Sequence, residues 1–249
     1  MVSERTSPSV NENVSFTWRV LRRICYPMAD LVVAQTQDAA RWIEAKCRAK
    51  VVVIPNALRL LPHVNRRREP LIIAAGRLSQ EKGFDLLLSA FAKIAADFTD
   101  WRLCIIGHGP EFAALSELRE RLQLTSRTEI VGHVSDIEAW MARASLLVHP
   151  SRREGFPNVV LEAMGMGAAV ICADCRSGPA ELIKHDVNGY LVPVDDLDAL
   201  VAAMTRLMSS PDIRDRLGTE AVMVRWEYAQ ETIYGKWEKC LLPYTTARH

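Results

Sequence analysis

The feature that most constrains the fold is an alternation. From residue 29 onward, short runs of apolar β-formers at 31–34, 51–54, 71–75, 103–106, 128–131, 146–149 and 169–172 take turns with other patterns. Between them, at 83–96, 110–122, 136–144 and 158–166, the apolar residues recur at helical spacing. Runs that are short and mostly apolar throughout suit strands covered on both faces, as in a parallel sheet. Strand, helix, strand, helix predicts an α/β chain with a Rossmann-like, doubly wound parallel sheet.

The pattern is lopsided. Five strand-loop units crowd into residues 70–190, whereas only two strand candidates lie upstream, near 31 and 51. Between them, the polar segment 63–70, bounded by Pro62 and Pro70, reads as a linker. The expected division is therefore 1–62 as the remnant of a second domain, 63–70 as the linker and 71–225 as the domain with the complete sheet. Residues 226–249 should form a last helix, carrying Trp226, Tyr234 and Trp237, that packs back toward the amino-terminal part.

Composition removes several classes of function. With 249 residues and 49% hydrophobic content, the chain has ample material for a sizeable core. A formal net charge of +1 supplies no long-range field for nucleic acid, and no nucleic-acid motif is present. The six cysteines read as reduced, buried thiols of a cytoplasmic protein. Cys172 and Cys175 have CxxC spacing, but they end an apolar run and have no second pair at zinc-finger distance. No stretch is long and apolar enough to span a membrane. Residues 16–26 interleave apolar residues with Arg19, Arg22 and Arg23. That pattern suits either an ordinary amphipathic packing helix, the expected reading, or a peripheral contact with an anionic bilayer.

In such a sheet, ligands bind where strands end and helices begin, so the loops carry the function. After the third run come Gly76, Arg77, Lys82 and Gly83, two turn-forming glycines around two cations. Solvation of an exposed loop would explain them. So would a diphosphate site, in which Arg grips two oxygens and Lys adds a point charge. Gly107-His108-Gly109-Pro110 repeats the theme, but Phe112 stands where a dinucleotide fingerprint needs its third glycine, which argues against NAD. His133 sits in a loop where a base could rest against backbone. His149 ends a strand and is expected to be a buried, hydrogen-bonded residue.

The most informative loop is REGFPNVVLE, residues 153–162. Gly155 allows close approach of a ligand, and Pro157 presets a helical turn. The amides of Asn158 and Val159 then form an anion-attracting helix start. Glu162 falls one turn after Asn158 on the same face, and side chains lean toward the amino terminus, so both carboxylates can reach one ligand. Acids do not bind phosphate; they suit hydroxyl groups, with Glu162 matched to a ribose and Glu154 to a sugar. A glycosidase pair is the alternative, but it has no need of cations and a helix dipole beside its acids.

These segments, in this order, resemble the donor-binding half of the family-4 glycosyltransferases, retaining enzymes of the GT-B fold. The resemblance covers about residues 69–225, through GRLSQEKGFDLLLSAF, IIGHGPE, VGHVSDIEAWMARASLLVHPSRREGFPNVVLEAMGMGAAVICADC, SGPAELI and VNGYLVP. It implies a retaining transfer of a hexosyl or N-acetylhexosaminyl group from a UDP-sugar to a glycan or lipid-linked acceptor. Arg77, Lys82 and Glu154 would be catalytic. Gly76, Gly107, His133, Gly155, Phe156, Pro157, Asn158, Val159 and Glu162 would complete the donor site. No metal or other cofactor is implied, because cations stabilise the leaving group. Residues 29–36 and 53–57 resemble the end of the family's amino-terminal domain, most of which is missing. The resemblance thus leaves room for a separate chain supplying that half, or for a non-catalytic binding module, and it places the work in the cytoplasm or at the inner face of a membrane.

Overall fold

A computed structural model describes residues 1–5, 8, 16–61 and 68–245. It contains two parallel sheets. The first is formed by β1 (Val2–Glu4), β2 (Val32–Ala34) and β3 (Val51–Val53), in that order, with α1 (Phe16–Cys25) and α2 (Gln37–Cys47) between the strands. The second sheet has six strands. They are β4 (Glu69–Ala75), β5 (Arg102–Ile106), β6 (Thr128–Val131), β7 (Ala144–His149), β8 (Ala169–Ala173) and β9 (Tyr190–Val192). Their helices are α3 (Phe84–Ile94), α4 (Phe112–Arg121), α5 (Ile137–Arg143), α6 (Asn158–Gly165), α7 (Pro179–Leu182) and α8 (Leu197–Ser209). The chain then runs through α9 (Pro211–Ala221), α10 (Val224–Glu227) and α11 (Gln230–Thr245).

The order of the large sheet is β6-β5-β4-β7-β8-β9, every neighbouring pair parallel. It is the doubly wound arrangement expected from the alternation. The strand sequence reverses between β4 and β7, and a ligand crevice opens at such a switch point.

Both faces of this sheet are covered. On one, Phe84, Leu87 and Phe91 of α3 and Met204 and Leu207 of α8 bury Ile72, Leu103 and Ile105. On the other, Val160 and Met164 of α6 and Met141 of α5 bury Ile73 and Leu147. Each fully buried Leu, Ile or Phe side chain stabilises the fold by about 1.5–3 kcal/mol. Capping fixes the helix starts: Asp136 accepts from the Ala139 amide, and Asp196 from the Ala199 amide, each at 2.9 Å. The last helix, α11, places Ile233 against Val33 and Ile54 of the small-sheet side, with Trp237 beside them.

Three expectations need adjustment. β1 was not foreseen, because Val2-Ser3-Glu4 carries one apolar residue in three; it exists through pairing with β2, Val2 opposite Val32. β4 begins at Glu69, inside the expected linker, since Arg68 donates to the carbonyls of Met141 and Ala144 and Glu69 accepts from Ser145. The remainder of that linker, 63–67, lies outside the described residues, as do 6–7, 9–15, 62 and 246–249 of the flanking segments. Finally, α1 forms but does not pack as an ordinary amphipathic helix. None of its residues is buried, and Phe16, Trp18 and Ile24 are 75%, 62% and 56% exposed. Its anchor is electrostatic: Arg22 lies 2.9 Å from Glu4, whose carboxylate also accepts from the buried Tyr26 hydroxyl at 2.6 Å.

All six cysteines are free thiols. Burial pushes Cys172 well up and Cys175 up to about 12, which keeps both protonated and unreactive, in keeping with a structural role. Among the described residues, no helix is long and apolar enough to cross a membrane.

Candidate functional site

Two glycine loops meet at the carboxyl edge of β4 and β5. Gly107 has φ +147°, and a Cβ there would lie 1.9 Å from the Gly76 carbonyl oxygen, so only glycine permits the approach. The Leu78 amide donates to the His108 carbonyl at 3.0 Å, and the Glu111 amide donates back to Leu78. Beside this stack opens a cavity of about 610 Å³ lined by Gly76, Arg77, Gly107, His108, His133 and Val134, among others. Arg77 is exposed, with its charge available to the cavity.

The second group sits at the switch point itself. A short 3₁₀ turn, Gln80–Lys82, carries Lys82 from the β4 loop, and the β7 loop carries Glu154. Their side chains form a close ion pair, and His149 Nε2 lies 2.5 Å from the same carboxylate oxygen, Oε1. The two loops are fastened together. Arg152 donates through its amide to Glu81 and through its guanidinium to both carboxylate oxygens of Asp85. Gly83, at φ +67°, is also required here, since a Cβ would meet the Pro150 carbonyl at 2.2 Å. Burial opposes ionisation of Glu154, but the His149 contact and the Lys82 charge outweigh it and hold the carboxyl down at about 2. Glu154 is therefore an anion at neutral pH.

The third group faces the small sheet. Asn158 and Glu162, one helical turn apart, line a cavity of about 340 Å³ together with Arg5, Gln35, Asn56 and Arg59. The Asn56 side-chain Nδ2 donates to Asn158 Oδ1 at 2.8 Å. Arg59 bridges two acids: its Nε is 2.9 Å from Glu162 and its Nη1 is 2.8 Å from Glu138. Burial raises the Glu162 carboxyl, and Arg59 opposes the shift.

The expected site residues thus fall into three neighbouring groups, not one shared cavity. Gly76, Arg77, Gly107 and His133 line the first cavity, Lys82 and Glu154 pair with each other, and Asn158 and Glu162 line the second. The first two adjoin, since a Cβ on Gly76 would lie 3.7 Å from Lys82 Cδ, and Arg59 of the third pairs with Glu138, the residue after Ile137 of the first cavity.

Two details correct the sequence reading. Phe156 turns its ring inward, 7% exposed and 6.1 Å from the Tyr228 ring, so only its backbone remains for a ligand. The Asn158 amide is already bonded to the Phe156 carbonyl at 3.0 Å, whereas the Val159 amide has no intrahelical carbonyl within reach. Gly155 and Pro157 shape this corner, which Gly178 seals at φ +94° against the Gly155 carbonyl.

Sequence reasoning missed Arg59. Its neighbours explain it: Leu58 and Leu61 settle onto α6, where Gly165 leaves room for them, and the arginine between is turned toward Glu162. The only signal was a basic residue in an apolar crossing, too weak to act on. Among the described residues, no group of three or more His, Cys, Asp and Glu side chains converges as metal ligands would.

Residues 62–222 match the family model described as glycosyl transferases group 1. The chain belongs to that family. The amylovoran biosynthesis glycosyltransferase AmsD of Erwinia amylovora is 30% identical over 239 residues, covering 92% of this chain and 67% of AmsD. The exopolysaccharide phosphotransferase SCO2592 of Streptomyces coelicolor is 34% identical over 221 residues, 86% of this chain and 23% of that protein. This group 1 chain therefore spans between about a quarter and two thirds of the length of such relatives. In three dimensions it superposes on the pneumococcal O-GlcNAc transferase GtfA, solved with UDP and GlcNAc, with a TM-score of 0.86 at 21% identity, covering 97% of this chain and 51% of that one. At that identity the likeness shows the fold, which is the GT-B type expected for the glycosyltransferase family.

Proposed function

We propose that the chain is the donor-binding part of a glycosyltransferase. In this reading it moves a hexosyl or N-acetylhexosaminyl group from a UDP-sugar to a glycan or lipid-linked acceptor, with retention of configuration, in polysaccharide or glycoconjugate synthesis. The observation that carries the reading is the meeting of Lys82 and Glu154 at the switch point, together with one cavity lined by Arg77 and another lined by Glu162. Family membership supplies the reaction class. The UDP and GlcNAc of the GtfA structure, and the UDP and glucose of the Anabaena HepE structure, supply the ligand class for related folds.

Each group has a task in this reading. The uracil enters beside His133 and Val134, and Arg77 faces the pyrophosphate. Lys82 exchanges part of its bond with Glu154 for a phosphate oxygen, and the start of α6 adds partial positive charge. Glu162 accepts from the ribose hydroxyls once Arg59 gives way. Glu154 accepts from a hydroxyl of the transferred sugar. As the bond from the anomeric carbon to the phosphate oxygen breaks, these cations stabilise the departing UDP, and the acceptor hydroxyl bonds to the anomeric carbon from the same face and gives its proton to that phosphate oxygen. No metal is required for that stabilisation, so EDTA should leave the rate unchanged. For a lipid-linked acceptor the reaction would run at the cytoplasmic face of a membrane, and the exposed apolar and basic surface of α1 supports such a contact.

Calorimetric titration with UDP and UDP-sugars tests the donor site; absence of UDP binding overturns the reading. The anomeric configuration of the product, read by NMR, tests retention. A second reading is a nucleotide-sugar binding module that works with a separate chain for catalysis. Binding of UDP-sugars without transfer to any acceptor supports that version.

A further inference from the structure

His149 is a polar residue in a strand that is otherwise sealed. All six residues of β7 are buried, and the His149 residue is 1% exposed. Its Nε2 lies 2.5 Å from Glu154 Oε1, while Nδ1 is buried with no hydrogen-bond partner among the described residues. A carboxylate only accepts, so Nε2 must carry the proton and donate. The orphaned Nδ1 makes the ring a costly choice for filling space, since an aliphatic side chain would leave nothing unsatisfied. What the imidazole supplies instead is a donor aimed at one oxygen.

That oxygen takes two donors. Lys82 reaches Oε1 from the 3₁₀ turn, and His149 reaches it from the end of β7. No described residue bonds to Oε2. A glutamate on a loop containing Gly155 and Pro157 has three side-chain torsions to settle, and two donors arriving at one oxygen from different elements fix its carboxylate plane.

We propose that His149 is a positioning residue for sugar recognition: by pinning Oε1 of Glu154 it presents Oε2 to one hydroxyl of the donor sugar, and so sets which hexose the site accepts. The proposal rests on the reading of Glu154 as the sugar-side carboxylate. In it, Lys82 can turn to the phosphate when the donor binds, and His149 then remains as the fixed partner.

The test uses the full chain and three proteins: wild type, His149→Leu and His149→Gln, whose amide nitrogen can stand near the position of Nε2. Each is titrated with UDP and with UDP-glucose, UDP-galactose, UDP-GlcNAc and UDP-GalNAc. The wild type should separate the best-bound sugar from its C4 epimer by tenfold or more. His149→Leu should keep UDP affinity within about threefold while the epimer ratio falls below about threefold, and His149→Gln should recover most of that ratio. Retention of the wild-type ratio in His149→Leu overturns the proposal, as does a wild type that binds UDP but does not distinguish the sugars. A wild type that binds no UDP overturns the functional reading as a whole. A measurement on the wild type alone guards against misfolded variants. Imidazole ¹⁵N shifts should show the Nε2–H tautomer and should move with the best-bound UDP-sugar more than with UDP, whereas an Nδ1–H tautomer would overturn the pin.

Discussion

Arg59 Nε lies 2.9 Å from Glu162 Oε1, so the carboxylate assigned to the ribose is held by an internal cation. Arg59 is 43% exposed, and a pair this open contributes only about 0–1 kcal/mol. Releasing it should help a ligand that needs the acid. Arg59→Ala is expected to tighten UDP binding by up to about fivefold, the equivalent of that energy. Calorimetry checks it, and a tenfold loss would mean that Arg59 touches the nucleotide itself.

Arg77 offers the exposed cation of the larger cavity. In the proposed reading its removal deletes charge-assisted hydrogen bonds to the pyrophosphate, each worth about 1.5–3 kcal/mol. Arg77→Ala should weaken UDP binding by that amount and leave uridine binding nearly unchanged, since uridine has no phosphate. An equal loss for both ligands would assign the residue to the base instead.

Glu154 links the site to stability at low pH. Its carboxyl is held at about 2, below the ordinary 4.5, so between those values the unfolded chain binds more protons than the folded one. The stabilisation is complete above about pH 4.5 and is lost as the pH falls toward 2. Glu162 and Glu181, both raised by burial, act in the opposite sense, so the comparison must be with a variant. Urea unfolding of wild type and Glu154→Gln should give a stability difference that shrinks steadily from pH 5 to pH 2.5. A difference independent of pH would show that the ion pair is not what holds the loop.

Gly107 tests the glycine stack. An alanine there would place Cβ 1.9 Å from the Gly76 carbonyl oxygen and must push the two loops apart. Gly107→Ala should cost roughly 1–3 kcal/mol of stability, the range for local backbone strain, and should weaken UDP binding as well. The urea midpoint and a UDP titration measure the two effects. An unchanged midpoint would mean that the loops already part freely.

The fold was largely legible because burial on both faces leaves continuous apolar runs. Thr128–Val131 was read residue for residue, and the other predicted strands of the large sheet lay within two residues of their observed ends. Strand β1 was hidden because its residues owe their conformation to β2. Site chemistry was legible as residue types, since glycines, cations and acids fell at strand ends. How they group was not. Sequence cannot tell that Leu58 and Leu61 steer Arg59 onto Glu162, that Phe156 faces the core beside two loop-forming neighbours, or that His149 and Lys82 converge on one oxygen. Each of these depends on contacts between segments far apart in the chain.

The final helix has a mechanical consequence. The chain passes from the small sheet to the large one near Leu58 and returns through Tyr228 to α11, and the Leu58 amide donates to the Tyr228 carbonyl at 2.7 Å. The two passages are therefore stitched side by side, like adjacent pins of a door. Thr36 Oγ1 lies 2.9 Å from Ser177 Oγ and the Gln37 backbone amide donates to Glu181 at 2.7 Å, so widening the gap lined by Asn56 and Asn158 must break these bonds as well as strain the stitch.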